Sequence, residues 1–240
     1  MMCSSSMSSL SDAERARHAR NARRAALPVG HWLDWANLML IDHGFLRALY
    51  RNRFRLAGGL HRANQPSPAI LRRYQAEFQI KSVVNLRGAH DHLGWYRLER
   101  RTCEELGIEL LTTTVNSREL LEPQQILSLA QFIRGIPLPA VVHCKSGADR
   151  AGFFSVLYRH VRLGEPIEAA AQELHWFYGH FKSAKTGVLD HFFRTYLAER
   201  KPHQSFLNWV EHDYNKARVQ SSFKPVGSMA WLVDKVLRRE

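Results

Sequence analysis

The segment His143-Cys144-Lys145-Ser146-Gly147-Ala148-Asp149-Arg150-Ala151-Gly152 gathers the residue types of a nucleophilic, anion-binding loop. A loop wrapped at a helix N-terminus aims backbone N–H groups at its centre, where they can hold phosphate oxygens. The same field favours a thiolate over a thiol, which makes Cys144 the candidate nucleophile. Arg150, six positions on, supplies a planar fork for two equatorial oxygens, a task that suits lysine's point charge less well. Gly147 gives the tight loop a residue without a Cβ. The candidate phosphate cradle is therefore Lys145, Ser146, Gly147, Ala148, Asp149 and Arg150. Cysteine, five residues and arginine is by itself a weak pattern; histidine directly before the cysteine and glycine three after it make it specific.

The elements around this loop read as alternating strands and helices, an α/β organisation. Strands are expected near Phe54 to Ala57, Ile80 to Leu86, Ile108 to Thr113 and Ala140 to His143, with a turn at Gly58-Gly59. Helices are expected from Ala69 to Phe78, from about Trp95 to Leu106, and from Pro123, which suits a first helical turn, to Gly135. After the loop comes a helix with Phe154, Leu157, Tyr158 and Val161 on one face, closed by Gly164. Strand, phosphate-sized loop, helix is an anion-binding order.

Lys+Arg 34 against Asp+Glu 22 leaves a formal charge of +12, a surface that favours polyanions, phosphorylated molecules or an anionic membrane. Cys3, Cys103 and Cys144 are too few and too scattered for a disulfide framework, which suits a reducing compartment. The histidines form no His-Glu-x-x-His or compact His/Cys cluster, so no metal is expected. Residues 1–28 are Ser-rich and then Arg-rich (Arg15, Arg17, Arg20, Arg23, Arg24), without the apolar core of a secretory signal. Residues 29–52 form an amphipathic helical arm in which Trp32, Trp35, Met39, Phe45, Leu46, Leu49 and Tyr50 recur at near-helical spacing. Packing on the domain and lying in a membrane interface both produce that spacing, so both readings stay open. Residues 201–240 carry two more helical patterns, Phe206-Trp209-Val210-Tyr214 and the basic amphipathic stripe Met229, Leu232, Val233, Val236 and Leu237. The main domain is then 53–200.

His-Cys, five residues, Arg resembles the signature of the cysteine-dependent phosphatases, the protein tyrosine and dual-specificity superfamily, and the fit is closest to small bacterial tyrosine and lipid phosphatases. It covers roughly Phe54 to Leu197, including Leu60-His61-Arg62-Ala63 with Gln65-Pro66 and Val83-Val84-Asn85-Leu86-Arg87. The resemblance implies a mostly parallel sheet flanked by helices, a phosphocysteine intermediate on Cys144, and no cofactor or metal, while the apolar spacing at the two ends adds N- and C-terminal helical extensions.

Departures from the family pattern shape the expected chemistry. Alignment through the helix at Pro123 places Asn116 where many members carry a general-acid Asp, and an amide delivers no proton. Ala151 stands where a Ser or Thr hydroxyl commonly helps the thiolate leave, as in the regenerating-liver branch, which implies slower turnover. Asp149, immediately before Arg150, matches the Asp proposed as general acid in myotubularin-like, Sac-like and bacterial lipid phosphatases, and is the candidate here by that resemblance. An outward Asp149 paired with a surface base is the bland alternative, and Glu119 is the reserve donor. The bacterial lipid group has Lys before this Asp, where this chain has Ala148; Lys145 offers substitute charge.

Of the remaining residues, His143 is expected to orient the loop from the strand end, and Cys103 to be a buried small residue. Arg62 and Arg87 are expected either to face the pocket or to pair within the scaffold. The polar patch Tyr178-Gly179-His180 and Lys185-Thr186-Gly187-Val188-Leu189-Asp190 is expected to border the site. The leading expectation is a phosphomonoesterase acting on phosphoprotein or on a phosphorylated lipid or saccharide, cytoplasmic or peripheral at the inner membrane face. A catalytically weak phosphate-binding module is the rival. Nucleic acid is not an expected partner, since no reading motif accompanies the charge.

Overall fold

The computed structural model describes residues 52–225, together with 19–23, 26, 28, 30 and 32–41. Five strands form one sheet: β1 (Phe54–Arg55), β2 (Leu60–Asn64), β3 (Ser82–Asn85), β4 (Glu109–Thr112) and β5 (Ala140–Cys144), in the order β1-β2-β5-β3-β4. Only the β1–β2 pair is antiparallel; β5 lies parallel between β2 and β3, with Asn64 opposite Cys144 and Asn85 opposite His143. The central strand Ala-Val-Val-His-Cys is buried along its whole length, as a parallel strand covered on both faces must be.

Helices α1 (Trp32–Ala36), α2 (Pro68–Phe78), α3 (Gly94–Leu106), α4 (Pro123–Gly135), α5 (Asp149–Leu163), α6 (Ile167–Ala170), α7 (Val188–Glu199), α8 (Phe206–His212) and α9 (Lys216–Ser222) surround the sheet. Pro123 opens α4, where Glu122 and Gln125 form a reciprocal capping box that satisfies two otherwise orphaned donors. One side of the sheet carries the small cluster of Leu71, Tyr74, Ile80, Val83, Cys103, Ile108 and Val141. The larger cluster joins Val84, Val142, Ile126, Leu129 and Ile133 to Phe153, Phe154 and Leu157 of α5.

Three features depart from sequence expectation or extend it. Leu60–Asn64, read from sequence only as an entry segment, is a fully buried strand; its His, Arg and Asn hid a pattern that only partner groups on neighbouring elements make tolerable. Packing also continues past residue 200, because Phe206, Trp209, Val210 and Val219 are wholly buried in the larger cluster. Tyr214 there donates to the carbonyl of Leu121 at 3.0 Å, and Gln220 accepts from the N–H of Leu120 at 2.8 Å.

The third is the arm. Among its described residues, Asp34, Asn37 and Leu38 are buried, Leu38 against Trp95, Tyr96 and Leu98, whereas Trp32, Trp35 and Met39 are exposed. Asn37 Oδ1 accepts from the N–H of Gly94, and Asp34 lies 3.5 Å from the buried Arg97 guanidinium. A side chain at position 94 would stand 2.6 Å from the Asp34 Cα, so the approach requires glycine. The two polar residues that interrupt the arm's apolar run are thus its docking contacts. Residues 42–50, Arg15, Arg17, Arg24 and the terminal stripe at 229–237 lie outside the described residues.

Candidate active site

The loop from Cys144 to Arg150 leaves the carboxyl end of β5 and turns directly into α5. The carbonyls of residues 145 to 148 are each held from outside. That of Lys145 accepts from the N–H of Gln65 at 3.2 Å, and that of Ser146 from Asn52 Nδ2 at 2.9 Å. Arg62 takes the next two, donating from Nη2 to Gly147 O at 2.9 Å and to Ala148 O at 2.8 Å. In a planar trans peptide the N–H points opposite to the C=O, so carbonyls drawn outward turn the N–H groups that follow them toward the concave side, where that of Ala148 donates to Ser146 Oγ at 3.4 Å. The N–H of Gly147 accordingly donates to Cys144 Sγ at 3.2 Å. Donors so turned, with the thiol at the base of the loop, have the geometry that suits an anion.

Gly147 is fixed in this role by two constraints. Its φ is +75°, and a Cβ there would stand 2.7 Å from the Asn64 backbone nitrogen. Arg62, completely buried, completes its bonding with the backbone carbonyl and the carboxylate Oε2 of Glu173, both at 2.9 Å. Tyr178 stacks on it, ring centroid 4.2 Å from the guanidinium carbon. Of the two sequence expectations for Arg62, the scaffold pairing is the one observed.

A second polar network steadies the strand end. His143 Nε2 lies 2.7 Å from Glu99 Oε1, both residues being buried. Glu99 also accepts from Asn85 Nδ2 at 2.7 Å and from Gln65 Nε2 at 3.0 Å. Arg87 reaches Gln65 Oε1 at 2.9 Å and lies 3.7 Å over the Trp95 ring, so it too works within the scaffold. The carboxyl ends of β2, β3 and β5 are thereby tied to α3.

The loop presents Lys145, Ser146 and Arg150 as half-buried side chains, while Gly147, Ala148 and Asp149 are buried. Asp149 turns inward, and its Oδ1 meets Nδ1 of the buried His180 at 2.7 Å. The opposite ring nitrogen bonds Oδ2 of Asp190 at the start of α7. Burial works against a charge on this imidazole, but the two carboxylates overcome it and raise its pKa to about 9. The Tyr178-Gly179-His180 patch thus borders the loop, and Asn52 bridges the two by donating to the carbonyls of Ser146 and Tyr178.

Asn116 is exposed on the loop between β4 and α4. Glu119, on the same loop, pairs with Lys216 of α9 at 2.6 Å. Cys103 is buried, and burial pushes its thiol pKa up, away from the nucleophilic range. Among the described residues no group of three or more His, Cys, Asp or Glu is placed to hold a metal ion.

The fold is similar to those of solved structures. TpbA of P. aeruginosa superposes with a TM-score of 0.49 at 22% identity, covering 61% of this chain and 86% of that one. PTPMT1 gives 0.45 at 17% identity, over 61% of this chain and 96% of its own, and human DUSP28 gives 0.39 at 13%, over 61% and 95%. No family model matches the sequence. No curated protein matches it either.

The loop is supported by several residues that the sequence did not single out. Asn52, Glu99 and Glu173 contribute through buried bonds to the loop or its supports, and each looked like any surface polar residue in the linear pattern. Arg62, His180 and Asp190 were visible as candidates but without a defined role.

Proposed function

We propose that the protein hydrolyses phosphomonoesters through a phosphocysteine intermediate on Cys144, with Arg150 binding the transferred phosphoryl group and Asp149 protonating the leaving oxygen. The observation that carries this reading is the cradle: four outward-held carbonyls and the Gly147 N–H on the thiol. A nucleophile beneath preorganised donors is the arrangement that stabilises charge as it develops in transfer. Cys144→Ser should abolish phosphate release from p-nitrophenyl phosphate and retain phosphate binding, while Arg150→Lys should weaken both. Wild-type turnover in Cys144→Ser would overturn the mechanism. Phosphate binding without turnover in the wild type would instead support the weak binding module.

Phosphoprotein and phosphorylated lipid or envelope saccharide both fit a cradle of this kind. A lipid at an anionic surface is favoured by exposed aromatic side chains: Trp32 and Trp176 are 69% and 68% exposed, and Phe177 is 58% exposed. Phe177 packs on Phe54 in the segment that touches the phosphate loop, and the arm docks at the start of α3, which follows the carboxyl end of β3. Indole rings partition to membrane interfaces, and the basic surface would add an attraction that salt screens. No helix among the described residues is long and apolar enough to cross a membrane, so attachment would be peripheral. Sedimentation with anionic vesicles at low and high salt tests this, with Trp32→Ala and Trp176→Ala each expected to weaken binding; no sedimentation at either salt concentration would return phosphoprotein to the front.

A further inference from the structure

The imidazole of His180 lies between two carboxylates that come from different parts of the chain. Nδ1 faces Asp149 in the phosphate loop, and Nε2 faces Asp190 at the start of α7. Lys182 adds a charge 3.3 Å from the other oxygen of Asp190. An imidazole with a carboxylate oxygen against each nitrogen must donate from both, or else one carboxyl must carry the proton itself. Either way the cluster holds a proton that a neutral histidine and two carboxylates would lack. The ring is completely buried, and both acids are nearly so.

We propose that His180 stores the proton that Asp149 delivers to the leaving-group oxygen, with Asp190 holding the ring in register. This rests on the reading of Asp149 as the proton donor. As the ester oxygen departs, the Nδ1–H bond breaks and an O–H bond forms on Asp149. That O–H then breaks as its proton passes to the leaving oxygen, and the P–O electron pair goes with that oxygen. Asp149 is left as a carboxylate beside a neutral imidazole that still donates to Asp190. When water attacks the phosphocysteine, its proton returns to Asp149 and on to Nδ1, and the S–P electron pair returns to the thiolate. Protons balance over the cycle, and no group beyond substrate and water is needed. His180 is a positioning residue, since it acts through Asp149.

The arrangement answers a difficulty of loop chemistry. An isolated aspartic acid, with a pKa near 3.9, is almost wholly ionised at neutral pH and is then a poor source of protons. A proton held by His180, whose pKa is raised to about 9 against the cost of burial, remains in place there.

The test compares phenyl phosphate, a poor leaving group, with p-nitrophenyl phosphate across pH 5 to 10, with circular dichroism at each pH. Wild-type kcat/KM for phenyl phosphate should fall only as the pH approaches about 9. Asp190→Asn should bring that alkaline limb down by about one unit or more, because one of the charges holding the imidazolium is gone. His180→Gln should slow phenyl phosphate by about 10²-fold or more while leaving p-nitrophenyl phosphate within a few-fold. An unmoved limb in folded Asp190→Asn, or equal losses on both substrates in folded His180→Gln, would overturn the proposal. Asp149→Asn separates the two levels: a selective loss there without one in His180→Gln removes only the proton store, whereas no selective loss in Asp149→Asn removes Asp149 as donor.

Discussion

Arg62 and Gly147 stand 85 positions apart in the chain, and Nη2 of one donates to the carbonyl of the other at 2.9 Å. A single buried guanidinium thus holds two consecutive loop carbonyls and, through Glu173, the end of the segment following α6. The loop's shape is set from behind, by a side chain bonded to its outward carbonyls.

Replacing that clasp should therefore impair both folding and binding. Arg62→Ala leaves Glu173 buried with one partner fewer and should cost about 3–5 kcal/mol in urea unfolding. Arg62→Lys keeps the charge but loses the fork, so phosphate affinity should fall even where the protein still folds. Wild-type phosphate affinity by calorimetry in Arg62→Lys would show that the carbonyls are held well enough without it.

Gly147→Ala should be more damaging than its single methyl suggests. The added carbon would press on the β2 backbone at Ala63 and Asn64, in a left-handed conformation that alanine resists. Turnover should drop by about 10²-fold or more and stability by about 2 kcal/mol, readable from kcat and the urea midpoint. An active Gly147→Ala enzyme would mean that the loop can move away from β2.

Stability should also depend on pH in the alkaline range. His180 has a folded pKa of about 9, above its ordinary 6.5, so its cluster contributes fully below about pH 6.5 and loses that contribution as the pH rises through 9. Urea midpoints should decline over that interval in the wild type and decline less in His180→Gln. The same decline in both would place the titrating group elsewhere.

Truncation after residue 200 should unfold the domain rather than trim it. Trp209 and Phe206 are wholly buried against Phe192 and Tyr196 of α7, and removing α8 would expose that aromatic cluster. Trp209→Ala alone should cost about 3–5 kcal/mol. A truncated chain with a cooperative, wild-type thermal transition would show that the C-terminal helices are accessory.

The loop after Cys144 was legible in the linear sequence because its logic is local: a β-branched strand, a four-residue connection with glycine at one point, and a helix follow one another without a break. Most strands and helices were legible for the same reason, since Pro123, Gly135 and apolar periodicity act over a few residues. What lay beyond reach depends on pairs distant in the chain. Leu60–Asn64 reads as polar until Glu173, Gly147 and Ala148 supply partners for Arg62 and make a buried strand of it. The Trp32–Met39 pattern left packing and a membrane interface both open; an ion pair to Arg97, a bond to Gly94 and the burial of Leu38 against Trp95 and Leu98 decided which residues turn in, while Trp32, Trp35 and Met39 stay exposed. Whether Asp149 turned outward or inward could not be read from its place before Arg150, because its inward partner His180 lies 31 residues on. Chain order sets which groups can form elements; burial, which charges heavily for any polar group without a partner, sets which of them must meet.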